Sequence, residues 1–156
     1  MATTTAGRNV DVSTGNWRAG VVGGVAGAAA MGALVVVMNL ATLAVAIPSL
    51  YSLAPPPSPG LGLVVHLSHG AVLGVVFAGI VGVTDVDSTG RIVGLGVGWG
   101  VATWVGLAAL VMPLWLGAVG SPASPPFPNF AVPSLLWHVV YGLVLGGVYA
   151  VTRHNL

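Results

Sequence analysis

The chain contains no cysteine. That absence excludes disulfides, thiolate metal centres, iron–sulfur clusters and thiol redox chemistry. Lysine is missing too, and only 4% of the 156 residues are charged, against about a quarter in an ordinary soluble domain. A water-facing surface cannot be assembled from so few charges. Arg8, Arg18, Arg91 and Arg153 are dispersed along the chain and the net charge is +1. No phosphate-neutralising patch can form from them, so nucleic acid is not an expected partner.

What remains is apolar. Hydrophobic residues make up 56% of the chain and the mean hydropathy is +0.98. The lipid bilayer is the solvent that suits such a chain, because helices of ~20 apolar residues span it while satisfying their own backbone. The expected fold is all-α, a polytopic membrane protein. Four charge-free spans follow from the sequence, at residues 19–47, 61–83, 92–116 and 132–151. The first is too long for a secretory signal, whose apolar region is ~7–15 residues. Proline-rich loops follow the first and third spans, with Pro48 expected to stop span one and Pro113 to kink span three.

The domain organisation is then a polar tail at 1–18, a transmembrane hairpin at 19–83, a turn at 84–91, a second hairpin at 92–151 and a tail at 152–156. All four arginines fall on the side of the termini and of the turn that carries Asp85 and Asp87. The loops on the other side have no Lys or Arg. The positive-inside rule therefore places both termini in the cytoplasm and the protein in the cell membrane.

The stretch HLSHGAVLGVVF, starting at His66, returns as HVVYGLVLGGVY, starting at His138. His66, Gly70, Val72, Leu73, Gly74 and Val76 recur 72 positions later, more agreement than shared apolarity produces. Both copies end a hairpin that enters and leaves on the cytoplasmic side. The expected architecture is thus a four-helix transmembrane bundle from a duplicated helical hairpin, a parallel repeat about an axis normal to the membrane. Glycines four apart, such as Gly70 and Gly74 or Gly142 and Gly146, let neighbouring helix backbones approach closely.

Ionisable side chains at membrane depth are functional-site candidates by default. His66 and His138 share a depth in the outer half, His69 lies one turn deeper than His66, and Tyr141 takes the corresponding place beside His138. Asn39 in span one falls at a comparable level, so the five are expected to form one polar layer. Three chemistries suit such a layer. His66 and His138 could ligate a b-type haem, or with His69 a metal ion, given acceptors for their second nitrogens. They could instead contact a substrate or quinone. They could also be interhelical braces, each worth about 0.6–2 kcal/mol. Trp17, Trp115 and Trp137 fit interfacial belts, whereas Trp99 and Trp104 are expected to fill gaps left by glycine.

No Asp, Glu, Lys or Arg lies inside a span, so proton pumping, intramembrane proteolysis and a Ser-His-Asp arrangement lack their residues. Asp85 and Asp87 sit in a solvated turn without the remaining ligands of a calcium loop. A non-enzymatic role is expected.

The pattern of His66, Gly70, Gly74 and Phe77, then Trp104, Pro113 and Gly117, then a proline-rich loop followed by His138 and Gly142, resembles the YagU-type small inner-membrane proteins over residues 61–150. The resemblance implies a multi-span membrane protein and carries no catalytic residues. Three roles stay open at this point: a packing or accessory component associating with itself or with a larger membrane complex, a bis-histidine redox carrier, and a small transporter.

Overall fold

The computed structural model describes residues 15–156. The first fourteen residues, with Arg8 and most of the expected polar tail, lie outside the described residues.

Four helices are long and apolar enough to cross a membrane: α1 (Trp17–Met38), α2 (Pro59–Thr84), α3 (Thr89–Ala118) and α4 (Val132–Thr152). The described residues contain no strand. Each helix begins where the local chemistry favours it. The Asn16 side chain accepts hydrogen bonds from the amides of Arg18 and Ala19, capping α1. Ser58 does the same for Leu61 in α2, and Pro59 follows in a first-turn position that needs no N–H. Pro133 occupies the equivalent place in α4. Asp85 ends α2 in the left-handed conformation with φ 51°.

The expected first span is not one helix. α1 breaks at Asn39, and the chain continues through a π-helical turn at Thr42–Ala46 to Pro48. At ~1.5 Å per residue the 22 residues of α1 already cover ~33 Å, the thickness of a bilayer's hydrocarbon core, without residues 40–49. Leu43 and Ile47 pack with Val35 of α1 and Trp137 of α4 in a small outer cluster.

Proline also shapes α3, which is π-helical over Trp104–Val111. Pro48 and Pro113 follow the two π-helical turns at the same interval. Each proline lacks the N–H that would serve the carbonyl four residues earlier. Ala44 O accepts from the Ser58 amide at 2.8 Å, and Ala109 O accepts from the Asn129 amide at 2.9 Å. Both proline-freed carbonyls are thus satisfied by the outer loop that follows.

Glycine and alanine line the inside, while large apolar side chains such as Val64, Val72, Val83 and Val151 face outward. This inverts a soluble core, because lipid tails are as apolar as valine and only close backbone packing distinguishes protein from solvent. Gly20 and Gly24 meet Gly74 and Gly70 across α1–α2; Gly96 meets Gly142 and Gly146 across α3–α4. A Cβ on Gly70 would lie 2.7 Å from Gly24 O, so these contacts require glycine. Gly24 and Gly96, like Gly70 and Gly142, are 72 positions apart.

The helices pack in the order α2, α1, α4, α3, and α2 and α3 barely touch. Gly23 and Gly27 let α4 lie on α1, a Cβ there falling 2.9 Å from Leu145 O and 2.7 Å from Tyr141 O. The positions 72 residues later hold Leu95 and Trp99, partly buried against the core. These bulky side chains keep α2 off α3. Phe77 and Tyr149, also 72 apart, stack edge to face in the centre with centroids 5.6 Å apart.

Candidate functional site

The outer-half layer is built by α1, α2 and α4. His66 is buried on α2, and its Nε2–H donates to Ala28 O of α1 at 2.9 Å. Gly32 stands beside the ring, where a Cβ would be 3.4 Å from Cδ2. The imidazole therefore occupies space that the α1 glycine leaves. Tyr141 on α4 is buried and its hydroxyl donates to Gly70 O of α2 at 3.1 Å. Through His66 and Tyr141, α2 is bonded to α1 and to α4, each time by a side chain on a backbone carbonyl.

His138 sits 72 positions after His66 yet is wired differently. Its Nδ1–H donates to Ser134 O of the same helix at 2.7 Å. The carbonyl that corresponds to Ala28 O is Gly100 O, and the Thr103 hydroxyl occupies it at 2.9 Å. Ser134, standing where the first hairpin has Gly62, also accepts from Trp104 Nε1 at 2.9 Å and donates to Ala131 O. In the first hairpin the histidine joins two helices; in the second, Trp104 and Ser134 do so and His138 turns along its own helix.

Two expected members do not join. His69 is only half-buried and meets the Tyr51 hydroxyl at 2.7 Å, below the first outer loop. Asn39 is exposed at the break that ends α1. The structure buries His66, Tyr141 and Ser134, each bonded to a backbone carbonyl, half-buries His69 one turn from His66 with its bond to Tyr51, and leaves Asn39 exposed. Among the described residues no three His, Asp or Glu side chains are placed to hold a metal ion, so His66, His69 and His138 do not assemble a three-nitrogen centre. His66 and His138 each give one ring N–H to a backbone carbonyl, which leaves His66 Nδ1 and His138 Nε2 as the nitrogens a ligand site would use.

Trp137, expected in the interfacial belt, is buried and directs Nε1 to Met38 Sδ at 3.1 Å. Trp115 remains exposed and donates to Leu50 O at 2.9 Å, fastening the segment before the first outer loop to α3. Ser134 and Thr103 escaped the sequence reading because neither can ionise; a hydroxyl inside an apolar span was the only available signal.

At the end of the bundle that holds the α2–α3 turn, Arg153 binds that turn. Its guanidinium donates to Val86 O at 3.1 Å and to Asp87 O, and pairs with the Asp87 carboxylate at 3.5 Å. Asn16 closes the same corner by donating to Arg153 O at 3.0 Å. No protein-family model, curated protein or solved structure matches this chain.

Proposed function

We propose that this is a non-enzymatic membrane component that acts by helix association, as a packing or accessory subunit with itself or with a larger membrane complex. The observation that supports it is the bonding of the polar layer. His66, His138 and Tyr141 each donate to a backbone carbonyl of the chain, and His69 pairs with Tyr51. Polar side chains held by main-chain groups act as braces, and none of these bonds waits for a reactant. The duplicated hairpin belongs to the same proposal, supported by glycine contacts spaced 72 residues apart. So does the topology, with both termini in the cytoplasm and Arg18, Arg91 and Arg153 on that side.

One observation favours a second reading, a bis-histidine haem b or metal carrier. His138 donates Nδ1–H to a carbonyl, the arrangement that orients a ligating imidazole and leaves Nε2 as the donor atom. The test is a reduced-minus-oxidised optical spectrum with metal analysis of the purified protein, beside a His66→Ala, His138→Ala variant. The packing component is expected to be colourless and metal-free. A haem band or stoichiometric metal that disappears in the variant would establish the carrier instead.

A further inference from the structure

Residues 39–58 and 110–131 form the end of the bundle opposite the α2–α3 turn, and none of them is Asp, Glu, Lys or Arg. The turn end, by contrast, exposes Arg18, Asp85, Asp87 and Arg91. What the charge-free end exposes instead is apolar. Tyr51, Leu114, Trp115, Phe127 and Phe130 are each half exposed or more.

The main chain at this end asks little of water, because most of its N–H groups are absent or internally bonded. Pro55, Pro56 and Pro57 have no N–H, and the amides of Tyr51, Ser52, Leu53 and Ser58 donate to main-chain carbonyls. In the second loop Pro122, Pro125, Pro126 and Pro128 have none either. There Gly120, Ser121, Ser124 and Asn129 donate to carbonyls, and Ala123 donates to Ser121 Oγ. A loop in water can leave its amides to the solvent, whereas one among lipids must satisfy them internally.

The second loop also runs beside α3 and not beyond its end. Asn129 is bonded to Ala109 O, and the Phe130 ring lies 5.5 Å from that of Trp104. At ~1.5 Å per residue both contacts fall ~13 Å or more short of the α3 end at Ala118. Phe130 thus shares its level with Leu107 and Val111, exposed apolar residues of α3. Tyr51 stands against His69 of α2, and α2 and α3 barely touch. A second copy or a partner helix covers one flank, whereas rings spread over two suit a medium that surrounds the bundle.

We propose that the two proline-rich loops are a lipid-binding surface, with Tyr51, Phe127 and Phe130 inserted among the lipids of one leaflet where headgroups meet acyl chains, the level that aromatic rings favour. The inference rests on the chain crossing a membrane and is independent of what the bundle associates with.

The chain has three phenylalanines, Phe77, Phe127 and Phe130, and Phe77 is fully buried in the core. Ring-labelled phenylalanine therefore reports both loop sites beside an internal control. NMR spectra of the full chain in phosphatidylcholine nanodiscs are compared with a lipid bearing a nitroxide next to its ester and, separately, with a soluble gadolinium chelate. Phe127→Leu and Phe130→Leu assign the two loop signals. Both signals are expected to be lost to the lipid nitroxide and to keep most of their intensity with the chelate, while Phe77 survives both. Greater loss to the chelate places the loops in water and overturns the proposal. Survival of both loop signals with either agent means that protein covers the rings, a second copy in this preparation, and overturns it equally. Loss of exposed valine methyl signals, Val72 among them, to a nitroxide at the acyl-chain end shows that the bundle is inserted, so failure of the loop surface is distinguished from failure of the membrane reading.

Discussion

At the scale of single residues, the same amino acid has opposite consequences on opposite faces of one helix. Gly96 of α3 touches Gly142 and Gly146, whereas Gly98 has open space where a Cβ would stand. Gly96→Leu is expected to cost about 2 kcal/mol or more through backbone overlap that no rotamer relieves, and Gly98→Leu to be tolerated. Thermal unfolding in detergent, followed by loss of the monodisperse peak, distinguishes them; equal midpoints would contradict the packing. The polar layer offers a finer comparison. Tyr141→Phe removes only the hydroxyl that joins α4 to Gly70 O, and should cost about 1 kcal/mol, typical of a hydrogen bond between membrane helices. His66→Ala should exceed His138→Ala, because the first removes an inter-helix bond and opens space beside Gly32, while the second removes a bond within one helix. Denaturant titration of the three variants reads that order directly.

At the scale of elements, proline does more than end a helix. Pro48 and Pro113 each free a carbonyl that the following outer loop occupies, so the loops are fastened to the helices by the main chain. Pro113→Ala returns an amide that competes for Ala109 O. The Asn129 amide should then exchange with solvent roughly tenfold faster, the equivalent of a lost bond of about 1 kcal/mol. Unchanged exchange at Asn129 would separate loop anchoring from proline. The number of crossing elements, their approximate limits and the turn between α2 and α3 were legible in the sequence because charge-free runs bounded by proline and aspartate have few other solutions. The break at Asn39 was not. Residues 19–47 carry no charge and only Asn39 and Thr42 interrupt their apolar run, so hydropathy cannot tell one long helix from a shorter helix followed by a separately packed segment. That outcome depends on Leu43 and Ile47 finding Val35 and Trp137.

At the scale of the whole molecule, the two hairpins share their internal glycine contacts but not their external ones. Glycine at 23 and 27 draws α4 onto α1, and leucine and tryptophan at the positions 72 residues later hold α2 away from α3. The α1–α4 and α2–α3 interfaces, which an exact repeat would make equal, therefore differ: the first is extensive and the second slight. Orientation is a whole-molecule property as well, and the native absence of cysteine makes it simple to probe. With single cysteines at Ala123 and Asn155, a membrane-impermeant maleimide added to intact cells should label the first and spare the second. The opposite pattern would reverse the assigned topology.

By itself the sequence determined that this chain forms four helices long and apolar enough to cross a membrane, since charge and span length act locally. It also pointed to His66, His69, His138, Tyr141 and Asn39, because polar groups are costly at membrane depth wherever they occur. The partner of each was decided only by the tertiary structure. A helix carbonyl has a second lone pair beyond its helical bond, and a different side chain takes it in each hairpin: Thr103 at Gly100 O and His66 at Ala28 O. Equal positions in two similar helices therefore carry different bonds, and that difference arises from neighbours far apart in the chain.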